Sequence, residues 1–202
     1  MITARTLIET AAGAFTVCHH ACENRSCLTF SRGNLEQPGT LVRLHSSCLF
    51  GEALGALDCD CGPQLRSALM EISRTGAGVV VYMNQEGRGT GILTKISGME
   101  LQRVYGLNSY EAYDMMGVQR DLRDYSEGVA ALRDLGVSRH IRLITNNPLK
   151  VLKLEEVGYI IDEVVALSYE VDMLAFGYLT MKRDIGNHTL DFSKIQFLED
   201  VS

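Results

Sequence analysis

The chain has 202 residues, 46% of them hydrophobic and 22% charged, enough for one hydrophobic core of ordinary size. Its formal net charge of −6 argues against a general nucleic-acid binder, which needs a basic face to displace counterions from phosphates. No apolar run approaches the roughly 20 residues that span a bilayer, and Glu9 interrupts the N-terminal apolar patch. We therefore expect a cytoplasmic protein that binds neither membranes nor nucleic acids.

The first predicted elements are short strands, at residues 15–20, 27–31 and 41–45. Turns are expected between them at 33–34 and 38–39. Residues 63–74 repeat apolar side chains at helical spacing and stop before Gly76, a residue type that commonly ends helices. The apolar run at 78–83 is typical of a buried strand.

The second half of the chain continues this alternation of helix and strand. Residues 140–145 predict another buried strand, and Asn147 and Pro148 supply the N-cap and first-turn proline of a helix that ends at Gly158. No repeat, low-complexity tract or long linker interrupts the sequence. We predict an α/β fold with a mixed sheet and a strand-rich N-terminal part, forming a single domain over 1–202.

Three of the six cysteines, Cys48, Cys59 and Cys61, lie within fourteen positions of one another. Thiolate sulfur binds zinc tightly, and three protein ligands leave one coordination position open for water, as in catalytic zinc sites. The alternative is a set of buried thiols, since free cysteine is among the most buried residue types. The spacing favours one zinc ion per chain.

A second group of metal-capable side chains comes earlier, with Cys18, His19, His20, Cys22 and Cys27. The alternation of apolar residues through this segment fits a strand and a turn. Structural or incidental cysteines are therefore the preferred interpretation, and a second metal site is the alternative.

Five segments in order resemble GTP cyclohydrolase II, the family that opens the imidazole ring of GTP at the start of riboflavin synthesis. They are RLHSSCLFGEAL, CDCGPQL, NQEGRGTGI, the DLRD run at 121–124, and LITNNPLK. The resemblance spans roughly residues 41–158. It implies a GTP cyclohydrolase II-like fold, a cytoplasmic homodimer, and a zinc-dependent hydrolase that opens GTP at C8 with Mg²⁺ on the phosphates and releases pyrophosphate.

The resemblance also implies roles for individual residues. Cys48, Cys59 and Cys61 match the family's zinc ligands, Asp121 matches the proposed general base, and Arg123 matches the arginine that attacks or steers the α-phosphate. Positions that contact the nucleotide are matched by Arg43, Leu44, His45, Ser46, Ser47, Gln64, Glu86, Gly87, Arg88, Ser109, Thr145 and Lys150.

The chemistry of several of these residues agrees with the resemblance. The Glu86 carboxylate can accept hydrogen bonds from both N–H groups on the edge of guanine, which adenine does not offer; a solvated turn is the alternative. The cations Arg43, Arg88, Arg123 and Lys150 fall near predicted strand ends or helix starts, where α/β proteins gather ligands, although each alone fits a surface charge.

Two positions depart from the family pattern. Met99 stands where the family usually has tyrosine, four residues after Lys95, and Ser47 stands where it usually has glutamate. A thioether cannot donate a proton as a phenol can, so a step that uses that hydroxyl should be slowed or lost. Alternatively, Met99 is a helix core residue and the matching tyrosine lies elsewhere.

These departures put the release of formate in doubt and leave three functional hypotheses. The chain carries out the full reaction on GTP, or it stops at a formamidopyrimidine ribonucleotide for a pathway other than riboflavin synthesis. The third hypothesis is a non-catalytic, regulatory protein that binds guanine nucleotides and holds structural zinc.

Overall fold

The computed structural model describes residues 1–22 and 25–198. The strands in this part of the chain are β1 (Ile2–Thr10), β2 (Gly13–Cys22), β3 (Arg25–Arg32), β4 (Thr40–Ser46), β5 (Gly78–Met83), β6 (His140–Ile144), β7 (Ile160–Val165), β8 (Tyr169–Asp172) and β9 (Ile195–Leu198). The helices are α1 (Leu49–Ala53), α2 (Cys61–Thr75), α3 (Ile92–Tyr105), α4 (Ser109–Met115), α5 (Ser126–Asp134), α6 (Pro148–Glu156) and α7 (Phe176–Asp184).

Seven of the strands form one mixed sheet in the order β1-β2-β3-β5-β4-β6-β7. The pairs β1–β2, β2–β3 and β3–β5 are antiparallel, whereas β4 pairs in parallel with β5 and β6, and β6 with β7. The strand-rich N-terminal part therefore supplies the antiparallel half, and the helix–strand alternation that follows supplies the parallel half. The predicted α/β class with a mixed sheet is confirmed.

The predicted strands and helices are confirmed with small changes at their ends. The strand expected at 140–145 ends at Ile144, because the Thr145 hydroxyl accepts a hydrogen bond from the Asn147 N–H at 3.0 Å and turns the chain. Asn147 then caps α6, accepting from the Leu149 N–H at 3.0 Å. Gly76 ends α2 with φ of +86°, a left-handed conformation that glycine adopts without strain.

Strand β1 was not predicted, and its environment explains why. It pairs only with β2, and eight of its nine residues are exposed. With neither face of the strand buried, the sequence has no reason to alternate between apolar and polar side chains.

Hydrophobic side chains are buried on both faces of the seven-stranded sheet. Helices α5 and α6 cover one face through residues such as Leu132 and Leu154, and α2 covers the other through Ala68 and Ile72. A third cluster joins α7 to the two-stranded sheet of β8 and β9. Among the described helices, none has the length and apolar character needed to cross a membrane.

The carboxyl ends of β4, β5 and β6 lie at the same edge of the sheet, because these strands run parallel. The segments that leave this edge begin with Ser47, Asn84 and Thr145. In α/β sheets this edge commonly holds the ligand site. It brings three of the five motif segments together.

Candidate active site

The cysteine cluster is assembled from three elements. Cys48 follows β4 and precedes α1, Cys59 lies in the loop after α1, and Cys61 is the first residue of α2. Their sulfur atoms all lie within 4.8 Å of one another, and those of Cys48 and Cys59 are 3.9 Å apart. Tetrahedral zinc with Zn–S bonds of about 2.3 Å places two sulfurs about 3.8 Å apart, so these three side chains fit zinc.

A glycine makes room for the cluster. A Cβ added to Gly51 in α1 would lie 2.5 Å from the Cys59 sulfur and 3.4 Å from the Cys48 sulfur. Any larger residue would push the sulfurs apart. The backbone of α1 can approach the cysteines this closely only because position 51 carries no side chain.

The earlier group of cysteines and histidines does not come together as a metal site. His20 is hydrogen bonded on both ring nitrogens, to Thr29 at 3.0 Å and Asp134 at 3.2 Å. Burial raises the pKa of Cys27 to about 12, which keeps that thiol neutral. Within residues 1–22 and 25–198, the Cys48–Cys59–Cys61 cluster is the one arrangement of three such groups close enough to share a metal ion.

A cavity of about 480 Å³ opens beside the cysteine cluster. The predicted site residues that line it are Ser46, Ser47, Cys48, Cys59, Cys61, Glu86, Gly87, Arg88, Met99, Ser109 and Arg123. Residues from four separate motif segments, from α3 and from α4 therefore face one space.

Arg88 is held in a fixed position on the cavity wall. Its φ of +57° is in the left-handed region, which is uncommon for a residue other than glycine and often marks a functional site. The guanidinium lies 4.1 Å from the centre of the Tyr110 ring and donates to the Ser109 hydroxyl at 3.0 Å. Its other terminal nitrogen is buried without a hydrogen-bond partner among the described residues, so this residue carries a donor that the protein itself does not satisfy.

Both oxygens of the Glu86 carboxylate accept hydrogen bonds from other groups of the protein. One accepts from the Lys95 ammonium at 2.6 Å, and the other accepts from the Leu49 N–H at 2.8 Å. A carboxylate has about four acceptor positions, so each oxygen keeps one for a ligand. These contacts fix the carboxylate at the cavity wall.

Asp121 and Arg123 form a close ion pair, with an Nε–Oδ1 distance of 2.9 Å. Arg123 lines the cavity, whereas Asp121 is exposed at the surface and is not part of the cavity wall. Burial raises the pKa of Asp121, but the hydrogen bonds and charge of Arg123 outweigh burial and hold that pKa below its usual value. In this arrangement Asp121 is a weak base, and it orients the guanidinium.

Six predicted nucleotide-binding residues do not line this cavity: Arg43, Leu44, His45, Gln64, Thr145 and Lys150. They lie behind the cavity, mostly at the ends of β4 and β6. The Leu44 side chain is fully buried, and its carbonyl accepts from the Lys150 ammonium at 2.7 Å. Arg43 donates to Gln64 and to His45. Arg43, Gln64 and Thr145 border a second, much smaller void.

An excess of positive charge gathers at this edge. Burial lowers the pKa of Lys150 well below its usual value, and the charges of Arg43, Arg123 and Lys182 lower it further. Burial and the charges of Lys182, Arg123 and Lys150 also bring the pKa of His188 down to about 3. A polyanion bound here would relieve this repulsion.

The sequence reasoning missed a buried carboxylate between two of the cysteines. Asp60 has no exposed surface, and it accepts from Lys182 at 2.8 Å, from Tyr169 at 3.0 Å and from Gln64. Lys182 and Tyr169 come from α7 and β8. In the sequence, the only indication of this buried carboxylate is the aspartate between two cysteines, and the neighbouring residues do not indicate its hydrogen-bond partners.

Replacing Asp60 with asparagine should lower the free energy of unfolding by about 3–5 kcal/mol, because it leaves the Lys182 ammonium buried without a counter-charge. Urea denaturation of wild type and variant measures the change. Asp58→Asn is the matched control, since Asp58 is exposed and should change stability by less than about 0.5 kcal/mol. Equal stability of wild type and Asp60→Asn would contradict the role of this ion pair.

The model of the GTP cyclohydrolase II family matches residues 2–166. This chain belongs to the GTP cyclohydrolase II family. The match includes all three cysteines and the segments that line the cavity up to Arg123, whereas Tyr169 and Lys182 lie beyond it.

Curated relatives are longer proteins. The chain is 45% identical over 154 residues to a riboflavin biosynthesis protein RibBA of Phocaeicola vulgatus, covering 76% of this chain and 38% of that one. It is 42% identical over 190 residues to the RibBA of Chlorobium phaeovibrioides, covering 92% and 46%. The RibBA of Bacillus subtilis is 40% identical over 190 residues, covering 92% and 47%. The chain thus spans less than half the length of these relatives.

Proposed function

We propose that this protein hydrolyses GTP, opening the imidazole ring of guanine at C8 and releasing pyrophosphate. The observation that carries the proposal is a cavity in which three cysteines with zinc-like spacing face Glu86, Arg88 and Arg123. The same cavity thus contains the cysteine cluster, which can bind a metal ion, a carboxylate that can accept hydrogen bonds from guanine, and cations that can bind phosphate. Membership of the GTP cyclohydrolase II family supports the same activity.

Cys48, Cys59 and Cys61 would hold the zinc ion. Zinc with three protein ligands supplies Lewis-acid chemistry and lowers the pKa of a water molecule to about 7. Ser47 lines the cavity next to Cys48, where the family pattern has glutamate, so this chain has one negative charge fewer beside the cysteines. The hydrolysis depends on the cavity residues that place C8 of the base beside the cysteine cluster.

Guanine recognition is assigned to Glu86. The carboxylate is fixed by Lys95 and Leu49, and each oxygen retains a free acceptor position. Guanine presents two adjacent N–H donors, at N1 and the 2-amino group, that match the two oxygens. Adenine presents an unprotonated N1 there, so its binding would leave the acceptor positions that face the ligand unfilled.

Phosphate binding is assigned to Arg88 and Arg123, which line the cavity, with Lys150 in the layer behind them. Arg88 has an unpartnered buried nitrogen and Arg123 is oriented by Asp121. Lys150 lies behind the cavity, where its ammonium donates to the Leu44 carbonyl. Mg²⁺ would accompany the phosphates, and a homodimer is the expected assembly; both remain predictions from the family resemblance. A cytoplasmic location is likewise a prediction from the sequence.

A second candidate is ring opening alone, with the formyl group retained on a formamidopyrimidine ribonucleotide. It is favoured because Met99 lines the cavity, so the thioether occupies the site itself and not a helix core. A third hypothesis is a non-catalytic guanine-nucleotide-binding protein with structural zinc. The retained pair of Asp121 and Arg123 argues against it.

One product assay distinguishes the three candidates. Purified protein is incubated with GTP and Mg²⁺, the product is identified by its mass, and formate and pyrophosphate are quantified. Equal amounts of formate and pyrophosphate indicate the full reaction, and a formyl-retaining product with pyrophosphate indicates ring opening alone. An unchanged nucleotide would contradict both enzymatic proposals.

Replacing Glu86 with glutamine should reduce the preference for GTP over ATP by about tenfold or more, since one amide group cannot accept from both guanine donors. Competition between GTP and ATP, measured as a ratio of kcat/KM or of binding constants, tests this. Glu100→Gln is the control because Glu100 is an exposed residue on α3. If Glu86→Gln leaves the preference unchanged, Glu86 does not read the base.

A further inference from the structure

Lys95 connects the cysteine cluster to the guanine-facing carboxylate. Its ammonium lies 3.2 Å from the Cys48 sulfur and 2.6 Å from a Glu86 oxygen, so one nitrogen bridges a thiol and a carboxylate. The side chains of Lys95 and Glu86 are 18% and 11% exposed, which limits screening by water. The Phe50 ring, 4.8 Å from the ammonium, covers it further.

These contacts close a ring of interactions around Cys48. The second oxygen of Glu86 accepts from the N–H of Leu49, the residue after Cys48. The N–H of Cys48 itself donates to Glu52 at 3.0 Å. Glu86 is thus tied to the Cys48 segment through the backbone on one side and through Lys95 on the other. A displacement of either group would move the other.

The charges show what Lys95 contributes when the cysteines hold zinc. Three thiolates and one divalent cation carry a net charge of −1, and this anion faces the negative carboxylate of Glu86. Without the ammonium, two partly buried anions would lie side by side and repel. A metal-free cluster with protonated thiols is neutral and feels no such repulsion.

We propose that Lys95 is a positioning residue that places a positive charge between metal-loaded Cys48 and Glu86. It thereby holds the Glu86 carboxylate, which recognises guanine, next to the cysteine cluster. The inference rests on the proposed function, because it takes Glu86 as the group that reads guanine. Lys95 lies one helical turn before Met99 on α3, so one helix supplies this bridge and the altered cavity wall.

A double-mutant cycle tests the proposal through zinc release to a colorimetric chelator, without turnover. Lys95→Met keeps most of the apolar stem and removes the charge, and we expect it to speed zinc release about tenfold. In a Glu86→Gln background the repulsion is already absent and only the direct contact of Lys95 with Cys48 is lost, so the same substitution should change release by about threefold or less. Lys95→Arg should restore slow release, because it keeps the charge.

Two further results distinguish a failure of the Lys95 proposal from a failure of the proposed zinc site. Lys153→Met, which removes an exposed lysine on α6, should release zinc at the wild-type rate. Equal effects of Lys95→Met in both backgrounds would overturn the proposal, since Lys95 would then act on Cys48 without Glu86. A wild-type protein that purifies without zinc would instead contradict the proposed metal site. A loss of stem packing alone predicts additive effects and no rescue by arginine.

Discussion

Replacing Cys59 with serine should abolish zinc retention and reduce GTP ring opening to background. The Cys59 sulfur lies 3.9 Å from that of Cys48, in a group of three that together match tetrahedral geometry. A serine hydroxyl is a poor zinc ligand at neutral pH, and two thiolates alone hold zinc far more weakly than three. Elemental analysis of the purified variant, with wild type expected to hold one zinc per chain, gives the first measurement.

Cys22→Ser provides the matched control for this substitution. Cys22 is a half-buried cysteine at the end of β2, outside the cluster of three. We expect this variant to keep one zinc per chain and wild-type activity. A metal-free wild-type protein with full activity, or a Cys59→Ser variant with undiminished activity, would contradict the zinc site. Thermal denaturation of both variants shows whether any loss of activity follows unfolding.

The parts of the fold that sequence could predict are those in which local pattern and burial agree. Strand β5 was predicted with its observed ends because both of its faces are buried, which produces a continuous apolar run. Helix α6 was predicted from Asn147 and Pro148, whose capping depends on neighbours in the chain. Strand β1 has no buried face, and its existence depends on pairing with β2.

The candidate site likewise contains residues that the sequence indicates and residues that it does not. The cysteines and the segment with Glu86 and Arg88 could be found because their chemistry is concentrated in short motifs. Lys182 could not, because its partner Asp60 is 122 residues away and nothing in the local sequence marks a buried lysine. Arg43 and Gln64, behind the cavity, were predicted to contact the nucleotide, but their hydrogen bond to each other was not predicted, because it depends on tertiary contacts.

Met99 borders the candidate active site, although the sequence alone is also compatible with a position in a helix core. An interpretation of Met99 as a core residue requires the side chain to pack away from the ligand. Instead, it is half-buried and borders the same cavity as Cys48, Glu86 and Arg123. Two tyrosines, Tyr113 and Tyr178, also line this cavity, and the Tyr113 hydroxyl is engaged because it donates to the Gly87 carbonyl at 3.1 Å.

Wild-type protein should accumulate a formyl-retaining product with little formate, and Met99→Tyr should increase the rate of formate release. The second hydrolysis expels formate from an amide, a poor electrophile, so the loss of a proton donor is felt most at that step. One well-placed donor contributes about 10²- to 10⁴-fold. Met99 faces a cavity of about 480 Å³, into which the larger ring would extend. Formate and pyrophosphate, quantified from the same reaction, measure the two steps separately.

Met115→Tyr is the control, since Met115 is exposed on α4, and it should leave the ratio of formate to pyrophosphate unchanged. Zinc content should be the same in wild type and both variants, because Met99 is not among the cysteine ligands. If Met99→Tyr alone restores only part of the formate release, combining it with Ser47→Glu tests whether the missing carboxylate beside Cys48 also limits this step. Stoichiometric formate from the wild-type protein would show that the loss of the phenol at position 99 is not decisive, and that water or another side chain, such as Tyr178 on the same cavity wall, supplies the proton.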